Sequence, residues 1–331
     1  MSRKFIQFAV FWLAIGISIL TLLVARLPYE HPLALILNKK DILAKSAQTD
    51  APKIVFVGGS SVFVGIDCIY IKNVLGYNPV NLGVHAGFKI PFLLYLVSIY
   101  VKRGDIIVLT PEYAALSHYS EISSENETFK WSLAAAPGFS LKNYYSFPER
   151  SSALFADVAS LCQWKALCLL HCVLFGKYAR LRDNGCVAYQ NTINEYGDET
   201  KGNLVLPVPQ SVLRNVDEKI KDTVDGGLIS DWNAVAMNMQ KRGVKICFIY
   251  PPFPRELVQI HRKFIDNFST LMKTRGMIPV LGTPEDFAFE YECFTDSPNH
   301  LTQACREKRT KRIIELLKTF LETRRPENVL P

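Results

Sequence analysis

Short β-branched runs that stop at a turn and give way to helical patterns constrain this chain more than any other feature. Lys53-Ile-Val-Phe-Val-Gly58 reads as a buried strand ended by Gly58-Gly59. Asp67 is placed to cap a short helix that stops at Gly76. Pro79–Leu82 reads as a second strand closed by Gly83, residues 90–102 as an apolar helix, and Asp105–Thr110 as a third strand. The pattern breaks over residues 114–226, where helical periodicity shows only around 150–182. It resumes with a helix at 231–242 capped by Asp231, a strand at Val244–Tyr250, a helix at 254–274, a short strand at Met277–Leu281 and a helix from about 303 to 324. This order predicts an α/β fold with a doubly wound, mainly parallel five-stranded sheet. Crossovers in such sheets are right-handed, and ligands bind beyond the carboxyl ends of the strands.

The first 26 residues differ in kind. Phe5 to Ala25 carries no charge and is flanked by Arg3-Lys4 and Arg26. At 1.5 Å per residue the run spans roughly 30 Å, the thickness of a bilayer core. A cleaved signal peptide has a shorter apolar region and a small residue three places before the cut, which Leu23-Val24-Ala25 lacks. The expectation is an uncleaved transmembrane helix over 1–26, in the bilayer through residues 5–25, then a linker at 27–52. One α/β domain follows at 53–325, with a large, mostly helical insertion at 114–226. Val158–Gly176, the other long apolar stretch, contains Gln163, Lys165 and His171, each costly at mid-membrane, and reads as a buried or surface-lying helix.

The excess of 38 Lys and Arg over 31 Asp and Glu is mild. It includes no basic block interleaved with aromatics, so nucleic-acid binding is not indicated. Eight cysteines show no Cys-x-x-Cys pair and no zinc-ligand spacing, so no metal is expected. Cys68 and Cys247 sit in apolar runs and read as core residues; pairing among the cysteines stays open.

The predicted strand ends carry the chemistry. Gly58-Gly59-Ser60-Ser61 lacks the Lys of a P-loop, and no Gly-x-Gly-x-x-Gly is present. A serine on a tight turn at a strand end is a placed nucleophile with backbone N–H groups beside it, although a plain Gly-Ser turn reads the same way. Of six histidines, His85 follows the second strand, and His300 lies in Phe294-Thr-Asp-Ser-Pro-Asn-His300-Leu-Thr302 before the last helix. A turn across Ser297-Pro298 would bring Asp296 to the imidazole and fix its tautomer. The alternative is a capping loop in which Thr302 starts the helix.

Gly59-Ser60-Ser61, Asn81-Leu82-Gly83 and Asp296-Ser297-Pro298-Asn299-His300, in that order, resemble the SGNH (GDSL-type) hydrolase superfamily. With a single N-terminal anchor, the likeness is to its envelope branch, which includes the teichoic acid D-alanylation and alginate acetyl-transfer proteins. It covers residues 53–113 and 227–320. The resemblance implies a flavodoxin-like SGNH fold with Ser61 as nucleophile, His300 as base and Asp296 as its partner. Gly83 and Ser61 would donate N–H groups to the oxyanion, with Asn81 beside them. Ser60 is the alternative nucleophile, one place earlier in the register. Where the family has an oxyanion Asn, this chain has Glu112, whose carboxylate would repel a developing oxyanion unless protonated, paired or turned away.

The function implied is a membrane-anchored, extracytoplasmic serine esterase or O-acyltransferase acting on an acyl ester, with no cofactor. Its expected partners are an acyl donor, a glycan acceptor of the cell envelope and a multi-spanning acyl-carrier protein of the same membrane. The alternative is a non-catalytic SGNH-like glycan-binding or assembly protein that keeps the sheet without turnover.

Overall fold

The computed structural model describes residues 51–84, 90–119, 192–200 and 220–323, together with Trp12, Lys40, Leu43 and Ala44. The chain divides into two units, residues 1–35 with 127–189 and residues 36–126 with 190–331, and the architecture below is that of the second. Apart from Trp12, the expected anchor lies outside the described residues, as do Val158–Gly176 and most of the insertion. Among the described residues, no helix is long and apolar enough to cross a membrane.

The sheet is parallel and five-stranded. Its strands are β1 (Lys53–Val57), β2 (Asn78–Asn81), β3 (Ile106–Leu109), β4 (Lys245–Ile249) and, after a two-residue β5 (Phe253–Pro254), β6 (Val280–Leu281). Their order is β2-β1-β3-β4-β6, with Phe56 opposite Asn81 and Val57 opposite Leu109. A two-residue β7 (Ala288–Phe289) pairs with β5 outside this sheet. Every residue of β1 and β3 is buried, as expected of strands covered on both faces, and this is why they read as continuous apolar runs. At the amino edge, Lys53 Nζ meets Asp105 Oδ2 at 2.5 Å with both side chains fully buried. Asp105 Oδ1 also accepts the Lys53 N–H at 3.0 Å, so neither charge is left alone in the core.

Helix α1 (Ser60–Gly65) follows β1 directly, and after Ile66-Asp67 comes α2 (Cys68–Leu75). The Asp67 carboxylate accepts the Tyr70 N–H at 2.9 Å, and Gly76 ends α2 at φ 71°, a conformation that favours glycine. Helix α3 (Ile90–Tyr100) leads to β3, and α4 (Tyr113–Ser117) follows that strand.

Helix α5 (Gly226–Lys241) begins earlier than the sequence predicts. Asp225, not Asp231, caps it, accepting the Gly227 N–H at 2.8 Å. Asp231 lies within the helix and accepts the Tyr119 hydroxyl at 3.0 Å. The helix predicted over 254–274 is two, α6 (Arg255–Ile260) and α7 (Arg262–Arg275), because His261 leaves the helical region at φ −97°, ψ 20°. The last helix, α8 (Gln303–Glu322), packs on α1, α2 and β6, whereas α5 packs on α7 and β4. Trp232, Phe248 and Phe268 fill the α5/α7 side, with Trp232–Phe248 and Phe248–Phe268 ring centroids 5.8 and 5.2 Å apart. Burying rings of this size contributes about 2–3 kcal/mol each.

Candidate functional site

The strand order reverses between β1 and β3, and chains leaving such a point diverge to leave a crevice. There Gly58 has no room for a side chain, since a Cβ would stand 2.5 Å from the Thr110 carbonyl oxygen. At Gly59 a Cβ would stand 2.5 Å from Glu112 Oε1. The two glycines let the turn after β1 close onto the residues after β3.

Glu112 closes that turn from the other side. It is 1% exposed; its Oε2 accepts the Gly59 N–H at 3.1 Å and its Oε1 the Ser61 N–H at 2.9 Å. Beyond it lies Arg309 of α8, fully buried, whose Nη1 donates to the Ser61 carbonyl at 2.6 Å and Nη2 to Thr110 Oγ1 at 3.0 Å. Burial pulls the Arg309 guanidinium down to about 9, and the Glu112 carboxylate pushes it back up. The concern that Glu112 would repel an oxyanion therefore takes a different form. The carboxylate faces the backbone donors and occupies two of them.

The two serines differ in exposure. Ser61 is fully buried and its Oγ has no hydrogen-bond partner among the described residues, His300 included. Ser60, the first residue of α1, is partly exposed. Of the two serines, Ser60 is the one that keeps exposed surface.

Asn81 is fully buried and serves as a junction. Its Nδ2 donates to the Val62 carbonyl at 2.9 Å and to Asp198 Oδ1 at 2.8 Å, while its Oδ1 accepts the Gly83 N–H at 2.9 Å. Glycine at 83 is a packing requirement, because a Cβ would stand 2.6 Å from Val62 Cβ. The Gly83 N–H, expected to serve an oxyanion, is engaged within its own turn.

Asp296 and His300 are brought together. His300 Nδ1 lies 2.8 Å from Asp296 Oδ1, and Thr295 Oγ1 donates to the same oxygen at 3.0 Å. The His300 contact is the largest influence holding the Asp296 carboxyl down at about 2; partial burial opposes it. The imidazole is 24% exposed, and with Nδ1 facing the carboxylate its Nε2 is the nitrogen left for proton exchange. Phe294 and Leu301 pair antiparallel at the base of the loop, and Cys293 and Cys305 form a disulfide around it. Cys68 and Cys247 are buried in the core, as read from the sequence. His85 lies outside the described residues.

Sequence reasoning missed a buried polar network beside the site. Lys40, assigned to the linker, is buried. Its Nζ donates to the Asn81 carbonyl at 2.9 Å and the Gly197 carbonyl at 3.0 Å, and stands 4.4 Å from the centre of the Phe63 ring. Burial pulls its pKa down to about 7, against the opposing pull of Asp198. Asp198, from the end of the insertion, accepts the Cys68 N–H at 2.8 Å and lies 3.4 Å from Arg306. The one sequence signal was Asn194-Glu-Tyr-Gly197-Asp198, a turn in which Asn194 Oδ1 accepts the Tyr196 and Asp198 N–H groups at 3.0 and 2.9 Å. No family model and no curated protein matches the chain.

Proposed function

We propose that this protein is a membrane-anchored serine esterase or O-acyltransferase of SGNH type, acting on an acyl ester of a cell-envelope polysaccharide. The observation that carries the reading is the Asp296–His300 pair, 2.8 Å from carboxylate to Nδ1, with Nε2 left for a serine proton. A serine Oγ of the Gly59-Ser60-Ser61 turn attacks the acyl carbonyl while His300 Nε2 takes its proton. Collapse of the tetrahedral intermediate breaks the bond to the leaving group, which receives that proton from His300. The acyl group then passes from the serine to water or to a glycan hydroxyl that His300 deprotonates, and His300 returns that proton to the departing serine Oγ. Asp296 holds the tautomer and stabilises the imidazolium. The resemblance assigns the attack to Ser61, and exposure favours Ser60.

The Cys293–Cys305 disulfide supports an extracytoplasmic domain, since such bonds persist in oxidising compartments. An acyl donor delivered by a multi-spanning membrane protein and a glycan acceptor fit that location. A second reading, a glycan-binding or assembly protein without turnover, is favoured by one observation: the Gly83 and Ser61 N–H groups are held by Asn81 and Glu112. One missing oxyanion donor costs about 3 kcal/mol of transition-state stabilisation.

Separate Ser60→Ala and Ser61→Ala variants of the full chain, assayed for hydrolysis of small acyl esters, test the enzyme reading. Loss of turnover on one substitution, with thermal unfolding unchanged, identifies the nucleophile. Esterase activity that survives in the combined Ser60→Ala/Ser61→Ala variant overturns the serine mechanism, and its absence from the folded wild type leaves the binding reading in its place.

A further inference from the structure

Helix α8 grips both halves of the proposed site within about one turn of its length. At Cys305 it is bonded to Cys293, and the bridge brackets the loop that carries Asp296 and His300. Inside the bracket the Thr302 N–H donates to the Cys293 carbonyl at 2.7 Å and the Thr295 N–H to the His300 carbonyl at 2.9 Å, so backbone bonds cross the loop as far as His300. The next residue, Arg306, donates through Nε to the Ile66 carbonyl at 2.8 Å, where α1 ends, and through Nη1 to the Glu199 carbonyl at 3.0 Å. Three residues on, Arg309 holds the Ser61 carbonyl. A Cβ on Gly65 would stand 2.6 Å from Arg309 Nη1, so α1 lies directly on the guanidinium.

We propose that Arg309 and the Cys293–Cys305 disulfide are positioning groups that together set the separation between the serine turn and His300. Neither touches a reacting atom: Arg309 fixes α1 to α8, and the disulfide fixes the Asp296–His300 loop to the same helix. A shift of about 1 Å between such groups can cost on the order of 100-fold in rate, so a common frame matters. The inference rests on the serine-nucleophile reading for its consequence, though not for its geometry.

The test uses the full chain, a Cys293→Ser/Cys305→Ser variant and Arg309→Lys. Three quantities are measured: thermal unfolding, the Asp296 carboxyl titration by NMR, and the rate of serine labelling by a fluorophosphonate against pH. Removing the disulfide should raise the Asp296 pKa from about 2 toward the ordinary carboxyl range and slow labelling, with an altered pH profile. Arg309→Lys should slow labelling by about 10-fold to 100-fold while leaving the Asp296 titration in place. Should the cysteine variant fail to fold, phosphine reduction of the folded wild type gives the same comparison. A folded, disulfide-free protein whose Asp296 still titrates near 2 and which labels at the wild-type rate overturns the proposal, as does an Arg309→Lys protein that labels unchanged. Absence of labelling in the wild type overturns the functional reading instead, and the Asp296 titration then decides the role of the disulfide by itself.

Discussion

Glu112 explains more of the site than any serine does. Its carboxylate satisfies two backbone donors that would otherwise be buried without partners, and its bulk is the reason for glycine at 59. Glu112→Ala strands the Gly59 and Ser61 N–H groups, at about 1–3 kcal/mol each. Chemical denaturation should report a loss of about 2–5 kcal/mol, and a variant as stable as wild type would mean the turn does not depend on the carboxylate. Lys40 gives a different signature. Its pKa falls from 10.5 unfolded to about 7 folded. Above the unfolded value it is neutral in both states and costs nothing. Between 10.5 and about 7 the unfolded chain holds a proton that the folded one has released, so stability falls as pH falls through this window. Below about 7 the ammonium is buried charged and the full penalty is present. Wild type should gain about 2 kcal/mol of stability between pH 7 and pH 9, at roughly 1.4 kcal/mol per pK unit, and Lys40→Met should flatten that slope. Equal slopes in the two proteins would contradict the burial of Lys40.

Elements were legible where burial alone dictates them. The strands β1, β3 and β4 have apolar runs because both faces are covered, and such runs need no context to be read. Helix α1 was not legible: its six residues include β-branched Val62 and Val64, and Arg309 of α8 supports it by donating to the Ser61 carbonyl. The start of α5 is misplaced because Gly226-Gly227 reads as a break and hides the cap that the Asp225 carboxylate makes by accepting the Gly227 N–H. Hydrogen exchange should find the amides of 230–232 protected as mid-helix amides, and Asp225→Ala should cost about 1 kcal/mol. Fast exchange there would restore the boundary at Asp231. The Asp296–His300 pair was visible because its partners are four apart across a turn, a local relation. The Lys40–Asn81–Asp198 junction was invisible because its members are separated by 41 and 117 residues, and only the fold brings them together.

For the whole unit, the carboxyl ends of the parallel strands gather groups from segments as distant as Lys40, Glu112 and Asp198, and α8 carries the Asp296–His300 loop at its start. Beyond the ends of β1 and β3 the Gly58-Gly59 turn packs against Thr110 and Glu112, and α8 links the histidine loop to the serine helix. The proposed function requires an activated serine that His300 deprotonates. The most direct measurement is fluorophosphonate labelling of the folded full chain followed by peptide mapping, with His300→Ala as the control. The account predicts a single adduct, on Ser60 or Ser61, that disappears in His300→Ala. No adduct on either serine, or one that forms equally well without the imidazole, would contradict it.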